Sequence, residues 1–211
     1  MQKPRIANRP DTREAIFQAA SVAFSSRGFD GVSVDDIAAQ AQVNKAMIYY
    51  HFADKLALYR AVVGDMLGTL GATATEIAAS PATPADKLNR FIENFVHNAA
   101  RRPWFPTMML REIAEGAPHL DLATLELMRA VFLAFGRILA EGAAAGSFRR
   151  VHPVLAYTSI VGPLLMNAAR ERMAAQPGRS ELPMFAEISH ADLIAHIQLT
   201  AHRMLNPDAV G

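Results

Sequence analysis

Between Ser33 and Lys55 the chain gathers hydroxyl, ammonium and imidazole donors: Ser33, Lys45, Tyr49, Tyr50, His51 and Lys55. Such donors suit the phosphate oxygens of a nucleic-acid backbone, contacts that fix register without reading sequence. Lys45 has a second use, because an ammonium also reaches guanine O6 or N7, and the neighbouring Ala46 is small enough to meet a thymine methyl. Met47, next in line, donates nothing to a base edge. Each residue has a plainer alternative. Tyr49 and Tyr50 can pack as aromatic core, although a tyrosine can bury its ring and still present its hydroxyl, which favours a phosphate role for Tyr49. Lys45 can be a simple phosphate contact, His51 can cap or pack at the next helix start, and Ser33 can cap its own helix while also donating. Lys3, Arg5, Arg9 and Arg13 face only Asp11 and Glu14 near the N-terminus, which reads as a phosphate-tracking arm or as a solvated leader.

Other chemistries find little support. There is no cysteine, so no disulfide framework, thiolate zinc site or cysteine nucleophile. No H-E-x-x-H, G-x-S-x-G or phosphate loop occurs, so no enzyme activity and no cofactor are expected. His190, His196 and His202 follow one another at intervals that place neighbours on opposite sides of a helix, unlike the i, i+4 spacing of a metal pair, and read as surface or interface histidines. Net charge is +1 over 211 residues, which argues neither for nor against a polyanionic partner. Val151 to Ala169 is free of charge, but His152, Pro153, Asn167 and several small residues dilute it, and a membrane span needs about 20 predominantly apolar residues. A buried or interface helix is expected there. Charges and prolines interrupt the N-terminus where a signal peptide would be apolar, so a cytoplasmic location is expected.

The elements that must hold these residues are helices, since apolar residues recur at three and four spacings and no strand-like alternation persists. A first helix follows Pro10-Asp11, buries Ile16, Ala20, Ala23 and Phe24, and ends at Arg27-Gly28. Ser33 and Asp36 form a capping pair for a second, whose face is Val34, Ile37, Ala38 and Ala41. Asn44 caps a third after a turn of about three residues, the connection of a helix-turn-helix. A long helix runs from Asp54 to about Ala79. Others follow at about Ala85 to Arg101, Trp104 to Glu115, Leu120 to Ala145 and Pro153 to Ala174, with a last one from Ser189 to Leu205. The expected architecture is all-α with about nine helices: a three-helix head over residues 1–53 and a helical body over 54–211.

Across Thr12 to about Val63 the chain resembles the tetracycline-repressor (TetR) family of regulators, most specifically in the run Ile48-Tyr-Tyr-His-Phe-x-x-Lys55. Where that family usually has glycine in the turn this chain has Gln42, which either adopts a left-handed conformation at a cost of about 1 kcal/mol or goes with a slightly different turn. Met47 stands where a small hydroxyl residue is more usual. The resemblance implies a transcriptional repressor acting as a homodimer on double-stranded DNA. The two recognition helices of a two-fold dimer would address half-sites of a pseudo-palindromic operator about 34 to 36 Å apart or a multiple of that. It also implies that the last two helices pair across the dimer and that the middle helices enclose a pocket for a small-molecule effector. Leu155, Ile160, Leu164 and Met166, with Leu193, Ile197, Ala201 and Met204, suit a four-helix interface or an intrachain core. Phe95, Trp104, Phe105, Met108, Met109, Phe132, Tyr157 and Asn167 are the pocket candidates, each with ordinary core as its alternative. Arg111 and Glu112 are expected to pair or to lie on the surface. An all-helical carrier and a ligand-independent regulator are the competing functions.

Overall fold

The computed structural model describes residues 12–179 and 181–208, and Lys3, Arg5 and Arg9 of the basic arm lie outside them. Nine α-helices and one 3-10 turn, and no strand, occur among the described residues: α1 Thr12–Arg27, α2 Val34–Ala41, α3 Lys45–His51, α4 Lys55–Ala79, α5 Pro84–Arg101, α6 Phe105–Glu115, α7 Leu122–Ala144, α8 Pro153–Ala174, the turn Pro183–Phe185, and α9 His190–Leu205.

Side-chain caps start most of these helices. Asp54 accepts from Ala57 N at 2.7 Å to open α4, and Asp121 accepts from Thr124 N at 2.9 Å to open α7. Thr83 caps α5 ahead of Pro84, where a missing N–H costs nothing. Trp104, expected as helical, is the uncapped N-cap of α6. Gly28 ends α1 at φ +77, a left-handed conformation that favours glycine, beside the Arg111 guanidinium.

Among the described residues the most extensive helix–helix packing is between α4 and α7, and α5 joins them. Val62, Val63, Met66 and Leu70 of α4 meet Val131, Phe135 and Ile138 of α7 and Phe91 of α5 in a single core that continues into the head through Ile16, Phe24, Ile37 and Ile48. A buried Lys87 donates to both carboxylate oxygens of Glu141 at 2.8 and 2.7 Å, tying α5 to α7. Gly142 lets the Phe148 ring close directly over α7, where any Cβ would overlap it. Most of the uncharged stretch lies in α8, half of whose large apolar side chains remain exposed, and no helix of the described residues is long and apolar enough to cross a membrane.

Candidate nucleic-acid interface

The helix-turn-helix is built by two caps and one unusual residue. Ser33 Oγ accepts from Asp36 N at 3.1 Å while Asp36 accepts from Ser33 N at 2.9 Å, a complete capping box. Those bonds, and then Arg27 nearby, hold the Asp36 carboxyl below the usual carboxylate range. Because Ser33 Oγ is the acceptor, its own proton is left for another acceptor. Gln42 ends α2 at φ 56, ψ 41, the left-handed geometry that the turn demands. It gains Val43 N→Ala38 O at 3.0 Å, a bond of the Schellman type that compensates for the strain. Asn44 Oδ1 then accepts from Ala46 N at 2.8 Å to start α3. Ile48 is fully buried and Phe52 nearly so, locking α3 against α1 and α2.

That anchoring turns the other face of α3 outward. Lys45, Ala46, Tyr49 and Tyr50 are exposed, Tyr50 by 80% and Tyr49 by 49%, and Met47 is half-buried against the core. Two flanking tyrosines left in water by a helix with ample core nearby are unusual for packing residues. Lys45 Nζ donates to Asp35 Oδ2 at 2.8 Å, a bond that raises the pKa of the lysine, and both side chains are open to solvent. His51 meets the Tyr50 ring edge-on at 5.0 Å, and its buried Nε2 has no hydrogen-bond partner among the described residues. Lys55 turns inward: its ammonium donates to Phe29 O and Val32 O, both at 3.1 Å, and sits 4.0 Å over the Phe29 ring. Two of its three donors therefore hold the α1–α2 loop. Arg13, the described member of the basic arm, lies over the Phe52 ring at 5.2 Å.

The pocket candidates divide. A cavity of about 430 Å³ opens between α1, α5, α6, α8 and α9, and Trp104 and Asn167 line it together with Val22, Ser25, Leu164 and His190. Phe95, Phe105, Met108 and Met109 are buried in the core. Phe132 and Tyr157 are stacked edge to face at 5.7 Å, with Phe135 at 5.6 Å from Tyr157, and burial pushes the Tyr157 phenol up to about 12. None of these six is among the residues lining that cavity. Of the three late histidines, His190 stands in the cavity wall and His202 Nε2 lies 2.8 Å from Asn89 Oδ1, so they serve separate elements.

A polar junction between head and body was not anticipated. Glu112 is 1% exposed and neither pairs with Arg111 nor reaches the surface. It accepts from the Tyr59 hydroxyl at 2.7 Å and lies 2.8 Å from His119 Nδ1. Burial, then the bond to Glu112, pushes the Tyr59 phenol well up. Arg111 instead donates to Phe24 O and Ser26 O at the end of α1, both at 3.2 Å. Successive helix positions diverge by about 100°, so adjacent Arg and Glu serve different neighbours. The aromatic crossings of Phe24, Phe29, Tyr59 and His119, at 4.3 to 6.0 Å, fill the space between. Only the tertiary packing joins Tyr59 to Glu112, so spacing carried no signal for it.

An all-helical body carrying a helix-turn-helix with an outward second helix is the architecture of helix-turn-helix transcriptional regulators. Residues 16–62 match the model for bacterial regulatory proteins of the tetR family, and residues 84–210 match the tetracyclin repressor-like C-terminal domain. The chain belongs to that family, whose members regulate transcription and are not enzymes. Over 101 residues it is 29% identical to the HTH-type transcriptional repressor NicS of Pseudomonas putida, covering 48% of either chain. Over 58 residues it is 40% identical to the repressor BepR of Brucella suis, 28% of each. The chain thus spans about half the length, or less, of the curated relatives it matches. The solved structure of the ketosteroid transcriptional regulator KstR2 of Mycobacterium tuberculosis shares the fold, with a TM-score of 0.74 and 18% identity over 96% of this chain and 99% of that one.

Proposed function

We propose that this protein is a sequence-specific DNA-binding repressor that acts as a homodimer on a pseudo-palindromic operator in the cytoplasm and leaves it when a small, largely apolar effector binds. The observation that carries the reading is the outward face of α3, where Lys45, Ala46, Tyr49 and Tyr50 stand exposed around a helix locked by Ile48. The head, residues 1–53, supplies the DNA contacts. Lys45 and Ala46 face base edges, and Ser33, Tyr49 and Tyr50 donate to phosphates. His51 orients Tyr50 from behind, and Lys55 holds the loop before α2 and keeps one N–H that a phosphate could accept.

The body, residues 54–211, supplies dimerisation and effector binding. Leu155 of α8 is 66% exposed, Met166 60% and Leu199 of α9 50%, apolar surface that favours a second copy. Trp104 and Asn167 bind the effector in the cavity, and Phe95, Phe105, Met108, Met109, Phe132 and Tyr157 stay outside its lining. The effector acts by differential affinity for a dimer whose heads no longer match the half-site spacing.

Selection of bound duplexes from a random pool by the full chain tests the reading. It should return a two-fold site with half-sites a helical turn or a multiple apart, about 34 to 36 Å for one turn. Recovery of no preferred sequence at low salt would sink it. Trp104 is the single tryptophan, so quenching of its emission reports which compounds enter the cavity.

A further inference from the structure

The first turns of α2 and α3 bring an acid and a base together on the exposed face. Asp35 Oδ2 lies 2.8 Å from Lys45 Nζ, with 70% and 45% of the two side chains open to solvent. The second acid of the same turn is used differently: Asp36 is held by Ser33 N and by Arg27 at 3.3 Å. A free carboxylate beside the recognition helix would repel the phosphates, and an exposed ion pair contributes little to folding.

The major-groove edge of a base pair offers a matching array. A G·C pair shows the guanine acceptors O6 and N7 and, beside O6, the cytosine N4 donor. Guanine O6 and cytosine N4 are partners in an N–H···O hydrogen bond, hence about 2.9 Å apart. That is the separation of Lys45 Nζ and Asp35 Oδ2. Lys45 has donors beyond the one given to Asp35, and the carboxylate has acceptor sites beyond the one that Lys45 uses.

We infer that Asp35 and Lys45 read one base pair per half-site as a unit, Lys45 donating to guanine O6 and N7 while Asp35 accepts from the N4 amino group of the opposing cytosine. The inference rests on the DNA-binding reading above. It fixes an order of preference. T·A, with thymine O4 under Lys45 and the adenine N6 amino group under Asp35, keeps both contacts but lacks the N7 acceptor on the lysine side. A·T and C·G place an amino group against the ammonium and a carbonyl oxygen against the carboxylate. The pair therefore ranks G·C first, T·A second and the two reversed pairs last.

The test uses the full chain and a selected operator, with each half-site position changed to all four base pairs and affinity measured by fluorescence anisotropy at one salt concentration. The wild-type protein should show the predicted order at one symmetric position, with G·C above the reversed pairs by on the order of tenfold. Asp35→Ala should cut that ratio at this position alone by about fivefold. Lys45→Ala should flatten the same position, and the double variant should match Lys45→Ala, because the two act together. A uniform rise in affinity for Asp35→Ala with an unchanged base profile would overturn the inference and leave the repressor reading intact. Absence of any selected operator for the wild-type chain would overturn both.

Discussion

Lys45 and Lys55 bracket the third helix, yet their ammonium groups face opposite environments. Lys45 stays in solvent with Asp35, whereas Lys55 is drawn under the α1–α2 loop by two carbonyls and the Phe29 ring. The long methylene stem permits either fate, and the surrounding acceptors select between them. Tyr49 is the cleaner probe of a phosphate contact. Tyr49→Phe removes only a hydroxyl and should weaken all operator sequences about equally, by about 3- to 10-fold, with fold and salt dependence unchanged. A change in base preference measured by anisotropy would contradict that role. The capping box gives a pH signature. Asp36 has a folded pKa below its unfolded 3.8, so its contribution is full above that value and disappears as pH falls through the lower one. Thermal melts of Asp36→Asn should therefore lie below wild type at neutral pH and approach it as acid protonates Asp36, whereas a gap of the same size at every pH would exclude the ionised cap.

The second and third helices are short, and their stability depends on how they end. Gln42 occupies a left-handed conformation that glycine adopts without strain. Gln42→Gly should raise stability by about 0.5 to 1 kcal/mol, read from denaturant midpoints. A loss of stability would mean that the Gln42 side chain is itself used. The α4–α6 contact is a second point where elements are joined by chemistry as well as by packing. Tyr59→Phe deletes a buried donor to Glu112 while His119 keeps one contact, so a destabilisation of about 1 to 3 kcal/mol is expected in the same unfolding measurement. Arg111, one residue earlier, caps the end of α1. The same helix therefore grips both α1 and α4 where head meets body.

For the molecule as a whole, a cavity wall that includes Val22 and Ser25 of α1 gives a ligand direct contact with the helix supporting the recognition unit. An occupant of that space, as proposed above, would bear on the head through α1. The exposed apolar face of α8 and α9 belongs to this scale too, because the proposed homodimer would cover it with a second copy. Leu155→Asp should leave the monomer folded by circular dichroism and shift sedimentation from dimer toward monomer. Operator affinity should fall by about 100-fold or more, since two linked heads gain from effective concentration. A variant that sediments unchanged would place the interface elsewhere.

The helical period, the proline and glycine breaks and the Ser33, Asn44 and Ser189 caps were legible in the chain, because all are local and helices form from neighbours in sequence. The exposure of α3 was legible in part, since a tyrosine that can bury its ring and still present its hydroxyl favoured a solvent-facing role for Tyr49. The inward turn of Lys55, the Lys45–Asp35 pair and the Tyr59–Glu112–His119 cluster were not, since each depends on groups brought together by packing. The pocket shows the same division. Composition marks aromatic and methionine residues equally for core or for cavity, and only the fitting of five helices left Trp104 and Asn167 beside empty space while sealing Phe95, Phe105, Met108 and Met109 in the core. Periodicity states which face a helix buries, whereas the volume left between buried faces is a property of all the helices at once.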